Sequence, residues 1–169
     1  FVNNSYTIVA GSTWEEDEKL LVQYINNSAT KDEKFIIAPH NIKPEEIQEL
    51  KKAISKKTVL FSERKGKNLQ DYQVFIIDTI GLLTKIYSYA SVAYVGGGYT
   101  KSGIHNILEP ATFGIPIVIG PNYSKFKEAI DLVKDGAGFT VDSIEKISVI
   151  LEKFYKDKRE REIAGDKAE

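Results

Sequence analysis

The residues of this chain best suited to chemistry follow an apolar strand predicted at 92–95. Gly96, Gly97 and Gly98 come directly after that strand, and a helix is predicted to begin near Asn106. Glycine lets a ligand approach the backbone closely, and the free N–H groups at the start of a helix attract anions. Asn106 and Glu109 share one helical face and can flank one ligand, with the amide at a phosphate and the carboxylate at ribose hydroxyls. A glycine turn before a capped helix, which needs no ligand, explains the glycines alone equally well.

The elements that must position these residues alternate along the chain. Strands are predicted at 6–10, 35–38, 58–61, 74–77, 92–95, 115–119 and 138–141. Helices are predicted at 14–26, 44–54, 82–89, 106–113, 125–134 and 144–156, and the charged tail after Lys156 either frays or continues as a helix. Strands that are apolar on both faces indicate a parallel sheet covered on both sides. We therefore predict an α/β fold in one domain, 1–169: a Rossmann-like, doubly wound parallel sheet with helices on both faces.

Four loops are expected to meet at one edge of this sheet. They are 11–13, 39–41, 78–81 and 96–98, and each follows a predicted strand. Ligands of doubly wound sheets bind outside the carboxyl ends of the strands. The shared edge therefore favours a nucleotide site over a turn that binds nothing.

The composition excludes several classes of protein. The chain has 169 residues, 42% hydrophobic and 28% charged, as expected of a globular domain. A net charge of −1 gives no strong attraction to nucleic acid or a lipid surface, and the absence of cysteine excludes disulfides and thiolate metal sites. The sequence shows no signal peptide and no apolar run of membrane-spanning length. Because it begins with Phe1 and contains no methionine, we expect a fragment of a longer protein.

Several single side chains receive a structural interpretation. Thr13 is predicted to cap the first helix, and the acidic run 15–18 is interpreted as its solvated first turn. Asp78 is expected to organise the turn at 78–82. His105 is expected to orient the loop at 98–106, and His40 is the better candidate for a ligand contact. Two histidines on separate loops give no metal signature.

The order of the motifs resembles the C-terminal half of the 3-deoxy-D-manno-octulosonic acid (Kdo) transferases, which are GT-B glycosyltransferases of lipopolysaccharide synthesis. The strongest match is His105-Asn106-Ile107-Leu108-Glu109-Pro110, and 11–13, 38–40 and 78–81 occur in the expected order. The resemblance implies one half of a GT-B fold. It also implies a second, N-terminal domain that binds the acceptor and holds the catalytic carboxylate, and we expect that domain to precede Phe1.

The resemblance also implies a set of site residues. The nucleotide of the donor CMP-Kdo would contact Pro39, His40, Ile80, Gly81, Leu82, Asn106, Ile107, Leu108 and Glu109. The supporting loops would contribute Ser12, Thr13, Gly96, Gly97, Gly98 and His105. No catalytic residue, metal or cofactor is expected within the chain.

The implied reaction transfers Kdo from CMP-Kdo to a lipid A precursor at the cytoplasmic face of the bacterial inner membrane. The fragment alone is expected to be a cytoplasmic, inactive monomer without nucleic-acid partners. Pro39 stands where many members of the family have arginine, and Leu82 where many have glutamate. Two alternatives therefore stay open: the donor domain of another GT-B protein that uses a UDP-sugar (a transferase or 2-epimerase), and a non-catalytic Rossmann-like binding module.

Overall fold

A parallel sheet of seven strands forms the centre of the structure, a computed structural model that describes residues 1–169. The strands are β1 (Thr7–Thr13), β2 (Lys34–Pro39), β3 (Thr58–Leu60), β4 (Val74–Ile76), β5 (Val92–Val95), β6 (Ile117–Ile119) and β7 (Gly138–Thr140). The helices are α1 (Glu15–Asn27), α2 (Pro44–Ala53), α3 (Leu83–Tyr87), α4 (Leu108–Ala111), α5 (Lys127–Asp135), α6 (Ile144–Lys156) and α7 (Lys158–Asp166). The strands lie in the order β3-β4-β2-β1-β5-β6-β7, and every neighbouring pair is parallel.

Both faces of the sheet are buried, as the apolar strands predicted. Ile8 and Phe35 point to one face, where they pack with side chains of α1, α2 and α6. The next residues along the same strands, Val9 and Ile36, point to the opposite face, where α3 contributes Tyr87. The predicted doubly wound, Rossmann-like α/β fold is confirmed.

β1 lies where the order of the strands reverses. Its Ile8 pairs with Phe35 of β2 on one side and with Val92 of β5 on the other. From β1 the chain moves to β2 and outwards to β3 and β4, and it then returns past β1 to β5 and continues outwards in the opposite direction to β6 and β7. In open α/β sheets a crevice forms at the carboxyl ends of the strands at such a point.

β1 extends further than predicted, because 11–13 forms part of the strand and not a free turn. The register shifts between Gly11 and Thr13, and Ser12 between them has a φ of 52°. This is a bulge: one extra residue leaves the ladder and the pairing then resumes, with the His40 N–H donating to the Thr13 carbonyl at 2.9 Å. The bulge turns Ser12 out of the strand at the edge of the sheet.

The helix predicted at 106–113 is also wrong in its extent, because α4 is a single turn of four residues. Asn106 lies before it, and its side-chain oxygen accepts a hydrogen bond from the Leu108 N–H at 2.9 Å. This local bond is an Asx turn, which brings the chain into the helix. α4 ends at Ala111, and Gly114, with a φ of 62°, lies directly after the segment that was predicted to be helical.

Smaller differences concern the other ends of elements. The strand predicted at 58–61 stops at Leu60, and 61–63 forms a 3₁₀ turn. The charged tail does continue as a helix, α7, which begins after Asp157, whose carboxylate accepts the Glu160 N–H. None of the helices has the length and apolar character needed to cross a bilayer.

Candidate functional site

A cleft of about 260 Å³ opens at the carboxyl edge of the sheet, beside the end of β1. It is lined by the bulge of β1, the loop after β4, α3 and the segment between β5 and α4. The lining residues are Ser12, Gly81, Leu83, Thr84, Tyr87, His105, Asn106 and Glu109. Two sequence segments that are far apart, 81–87 and 105–109, therefore meet here, as the predicted common edge required.

Tyr87 lies against the end of β1, where Gly11 leaves room for it. A Cβ atom at Gly11 would lie 2.1 Å from the Tyr87 hydroxyl oxygen. Burial is the main reason that the pKa of Tyr87 is raised above its usual value, and the Glu109 carboxylate contributes to the same shift. Tyr87 is therefore a neutral group close to the negative charge of Glu109.

Asn106 and Glu109 line the same cleft, as predicted. The side-chain oxygen of Asn106 is held by Leu108, and its amide nitrogen donates to no protein group. The Glu109 carboxylate takes part in no hydrogen bond or ion pair, although the residue is half-buried. The helix that was expected to begin at Asn106 is wrong in its start, because α4 begins at Leu108 and has only four residues, so Asn106 does not lie in its first turn. What remains is an unpaired carboxylate and an unpaired amide nitrogen.

The three glycines support the cleft from behind, because all three are buried. A Cβ atom would lie 2.2 Å from the Ser12 carbonyl oxygen if placed on Gly96, and 2.5 Å from the Gly120 Cα if placed on Gly98. Gly97 has a φ of 95° and donates its N–H to Asp17. The glycines therefore allow backbone segments to pack closely against each other. This agrees with the structural interpretation of the glycines, in which they form a turn that needs no ligand.

Asp17 is the residue of this region that the sequence interpretation missed. Far from being solvated, it is fully buried and accepts three hydrogen bonds: Trp14 N–H (2.8 Å) and Gly97 N–H (3.1 Å) on Oδ2, and Tyr94 hydroxyl (2.5 Å) on Oδ1. Burial raises the pKa of Asp17, and the three donors oppose that shift. Its position four residues before Leu21, on the buried stripe of α1, is the signal that was available in the sequence.

Glu18 and Thr13 also depart from their predicted roles. Thr13 does not cap α1; its hydroxyl donates to the Glu18 carboxylate at 2.7 Å. Burial raises the pKa of Glu18 to about 7, so this half-buried group is not an ordinary solvated carboxylate. Both residues line a second cleft, of about 670 Å³, between α1 and α2, and Pro39 lies there too, away from the cleft that contains Asn106.

The two histidines and Trp14 form one aromatic cluster beside the cleft. The ring of His40 stacks on Trp14 and on His105, with 4.5 Å between centroids in each case. The Trp14 Nε1–H donates to His105 Nε2 at 3.0 Å, and the His105 N–H donates to the Gly96 carbonyl at 3.0 Å. His105 therefore fixes the loop, as predicted, and it also lines the cleft, whereas the exposed His40 does not.

The other residues predicted to contact the nucleotide differ in how far their side chains are exposed to solvent. Ile80 is 83% exposed and Leu108 is 54% exposed, so both are accessible to a ligand. Leu82 packs against the apolar cluster beneath α3, and the Ile107 side chain is buried in the core, so Ile107 offers a ligand its backbone only. Gly81, with a φ of 90°, lies exposed in the loop and lines the cleft.

Asp78 does not organise its own turn. It accepts hydrogen bonds from the Ser62 N–H and hydroxyl, and so connects the end of β4 to the 3₁₀ turn after β3. No arginine or lysine lines the cleft that contains Asn106, and the Lys125 ammonium group donates to the Lys101 carbonyl at 3.1 Å. No group of three or more histidine, aspartate or glutamate side chains is arranged to hold a metal ion.

Comparison with known proteins agrees with the motifs. The chain is 30% identical over 169 residues to the 3-deoxy-D-manno-octulosonic acid transferase of Aquifex aeolicus (strain VF5), covering 94% of this chain and 46% of that protein. It is 30% identical over 154 residues to the transferase of the same name from Chlamydia trachomatis serovar A, covering 89% of this chain and 35% of that protein. The resemblance to the Kdo transferase family is confirmed. The chain spans less than half the length of these Kdo transferases, and no protein-family profile matches it.

Solved structures show the same fold. The C-terminal CMP-Kdo binding domain of WaaA from Acinetobacter baumannii superposes with a TM-score of 0.83 at 23% identity, over 99% of this chain and 89% of that one. WaaG, a glycosyltransferase involved in lipopolysaccharide biosynthesis, superposes with a TM-score of 0.62 at 12% identity, over 99% of this chain and 42% of that one. These likenesses confirm the predicted half of a GT-B fold.

Proposed function

We propose that this chain is the donor-binding domain of a Kdo transferase and that the cleft beside β1 binds the CMP part of CMP-Kdo. The observation that carries the proposal is the pair of unpaired groups, the Glu109 carboxylate and the Asn106 amide nitrogen, at the point where the strand order reverses. The identity to Kdo transferases and the fold shared with a CMP-Kdo binding domain support this nucleotide over others.

The charges in the cleft determine how the nucleotide would lie. Two negative charges about 4 Å apart repel by roughly 4 kcal/mol near a protein surface, so the phosphate cannot lie against Glu109. Glu109 instead accepts the ribose hydroxyls, and the phosphate lies towards the Asn106 amide and His105. The exposed backbone at Gly81 meets the cytosine. Because no cation lines the cleft, we expect weak binding, with a Kd around 1 mM, or about 4 kcal/mol.

The transfer step would use groups from outside this chain. In the proposed reaction the bond between the Kdo anomeric carbon and the phosphate oxygen breaks, and CMP leaves with the electron pair. The acceptor hydroxyl of a lipid A precursor forms the new bond and gives its proton to a carboxylate of another domain. We propose that the parent protein acts at the cytoplasmic face of the inner membrane without metal or cofactor. The isolated chain would then be a monomer that binds nucleotide without turnover.

The test is a titration of the ¹⁵N-labelled chain with CMP, UMP and AMP, followed by amide chemical shifts. We expect CMP to perturb 78–82 and 96–109 and to bind most tightly. Replacing Glu109 by glutamine removes the charge that accepts the ribose hydroxyls and should weaken CMP binding about tenfold or more. Glu145→Gln is the matched control, since Glu145 also lies in the first turn of a helix but is remote in sequence from the cleft segments.

Other results would support the alternatives. Tighter binding of UMP than of CMP would favour a UDP-sugar donor. The fold is compatible with such a donor, since it is shared, at a TM-score of 0.65, with Anabaena HepE, which was solved in complex with UDP and glucose. An absence of saturable binding by any nucleotide would favour a non-catalytic module. Kdo transfer by the purified chain alone would contradict the need for a second domain.

A further inference from the structure

The hydrogen bond between Trp14 and His105 determines which nitrogen of His105 carries its proton. An indole N–H can only donate, so His105 Nε2, 3.0 Å from Trp14 Nε1, must be an unprotonated acceptor. A neutral imidazole has one N–H, and that N–H must then be on Nδ1. The two rings are nearly parallel, with 10° between their planes and 6.3 Å between their centroids.

The Nδ1–H of His105 has no acceptor within the protein. The only side-chain hydrogen bond of His105 is the one from Trp14 to Nε2. Every buried side-chain nitrogen and oxygen in the structure has a partner, so an unpartnered Nδ1 must reach solvent. His105 itself lines the cleft that also contains Asn106 and Glu109.

The surroundings keep the ring neutral. Burial is the main cause that lowers the pKa of His105, and the neighbouring His40 lowers it further, while the Asp17 carboxylate opposes both. His40 is stacked on the ring at 4.5 Å and Trp14 carries no charge. A ring that already accepts a hydrogen bond at Nε2 cannot take a second proton there without losing that bond.

We propose that Trp14 is a positioning residue of the nucleotide cleft: its indole N–H holds His105 in the Nδ1–H form, so that this N–H donates to a phosphate oxygen of the ligand. The inference rests on the proposed function for the identity of the ligand. It gives a donor to a cleft that no lysine or arginine lines, and it assigns a role to a residue outside the 105–110 motif.

The first measurement needs no variant. Long-range ¹H–¹⁵N correlation spectra of the wild-type imidazoles distinguish the two tautomers, and we expect His105 in the Nδ1–H form at neutral pH. Trp14→Phe keeps an aromatic ring for His40 to stack on but removes the indole N–H, so His105 should shift towards a mixture of both tautomers. His40→Phe is the control, because it keeps the stacking and the Trp14 bond and should leave the tautomer unchanged.

The second measurement concerns the ligand. We expect Trp14→Phe to weaken CMP binding about three- to tenfold and to leave the weaker binding of cytidine, which has no phosphate, unchanged. A wild-type Nε2–H tautomer, or no tautomer shift in Trp14→Phe, would overturn the role of Trp14. A tautomer shift with equal losses for CMP and cytidine, or with no loss, would overturn the phosphate contact. Absence of any nucleotide binding by the wild type would refute the proposed function and this contact together, while the tautomer spectra would still decide the role of Trp14.

Discussion

Removal of the Asp17 side chain should destabilise the protein far more than removal of its charge. The two Asp17 oxygens have different partners: Oδ2 accepts the backbone N–H groups of Trp14 and Gly97, and Oδ1 accepts the Tyr94 hydroxyl. The backbone donors cannot reorient, whereas the hydroxyl can rotate and become an acceptor. An asparagine with its oxygen in the Oδ2 position keeps both backbone bonds and can donate its amide to Tyr94.

The magnitudes follow from the number of donors left without a partner. Asp17→Ala leaves the buried Gly97 N–H unpaired, at about 1–3 kcal/mol, and the half-buried Trp14 N–H at about 0.5–1.5 kcal/mol, so we expect the free energy of unfolding to fall by about 1.5–4.5 kcal/mol. Asp17→Asn should stay within about 1 kcal/mol of the wild type, because it satisfies the same donors. The raised pKa of Asp17 agrees with this, since it means that burial disfavours the charged form in the folded state.

Urea unfolding at pH 7 measures these differences, with the exposed Glu16→Ala on the same helix as the control. In Asp17→Asn the amide shifts of Gly97 and His105 should match those of the wild type. In Asp17→Ala, if it folds, they should differ. Equal stability of Asp17→Ala and Glu16→Ala would refute the organising role of Asp17. An Asp17→Asn variant as unstable as Asp17→Ala would show that the charge matters and not the geometry of the oxygens.

Three further predictions concern neighbouring groups. The pKa of Glu18 is raised to about 7 in the folded state, so wild-type stability should fall as the pH rises from 4.5 through 7. Glu18→Gln should reduce this fall, to which the raised pKa of Asp17 also contributes, and should gain about 1 kcal/mol at pH 8 after allowance for solvent screening, as urea midpoints across pH 5–8 would show. Gly11→Ala should destabilise by about 1–3 kcal/mol because its Cβ would meet the Tyr87 hydroxyl, and Tyr87→Phe in the same chain should recover part of that loss in thermal unfolding. Asp78→Ala should lower stability by only about 0.5–1.5 kcal/mol, because water can bind the exposed Ser62 N–H in place of the carboxylate, and it should not change CMP affinity in the NMR titration.

The fold class and the edge that carries the cleft could be predicted because both depend on patterns of many residues. Continuous apolar strands such as 92–95 exclude a sheet with a solvated face, and strand–helix alternation then requires parallel pairing. The parallel arrangement in turn brings the carboxyl ends of the strands together, so 78–81 and 96–109 had to lie at one edge. None of this depended on where a single element ends.

The local errors have a different origin, since each involves a partner that is distant in sequence. The bulge at Ser12 depends on pairing with β2 at Thr13 and on the close packing of Gly96 against its carbonyl. The late start of the helix predicted at 106–113 coincides with Ile107, which directly precedes α4 and whose side chain is buried in the core. Helix and turn propensities describe short segments only, so tertiary contacts of this kind override them.

The same distinction explains why the motif at 105–109 revealed the family but not the groups that hold it in place. Trp14 and Asp17 lie about ninety residues earlier, yet they bond directly to His105 and to Gly97. The phase of α1 already placed Asp17 on the stripe shared with Leu21, and a carboxylate in an apolar stripe needs donors. Because those donors include a backbone N–H of the glycine loop, a substitution at the start of α1 should disturb the cleft as much as one within the motif.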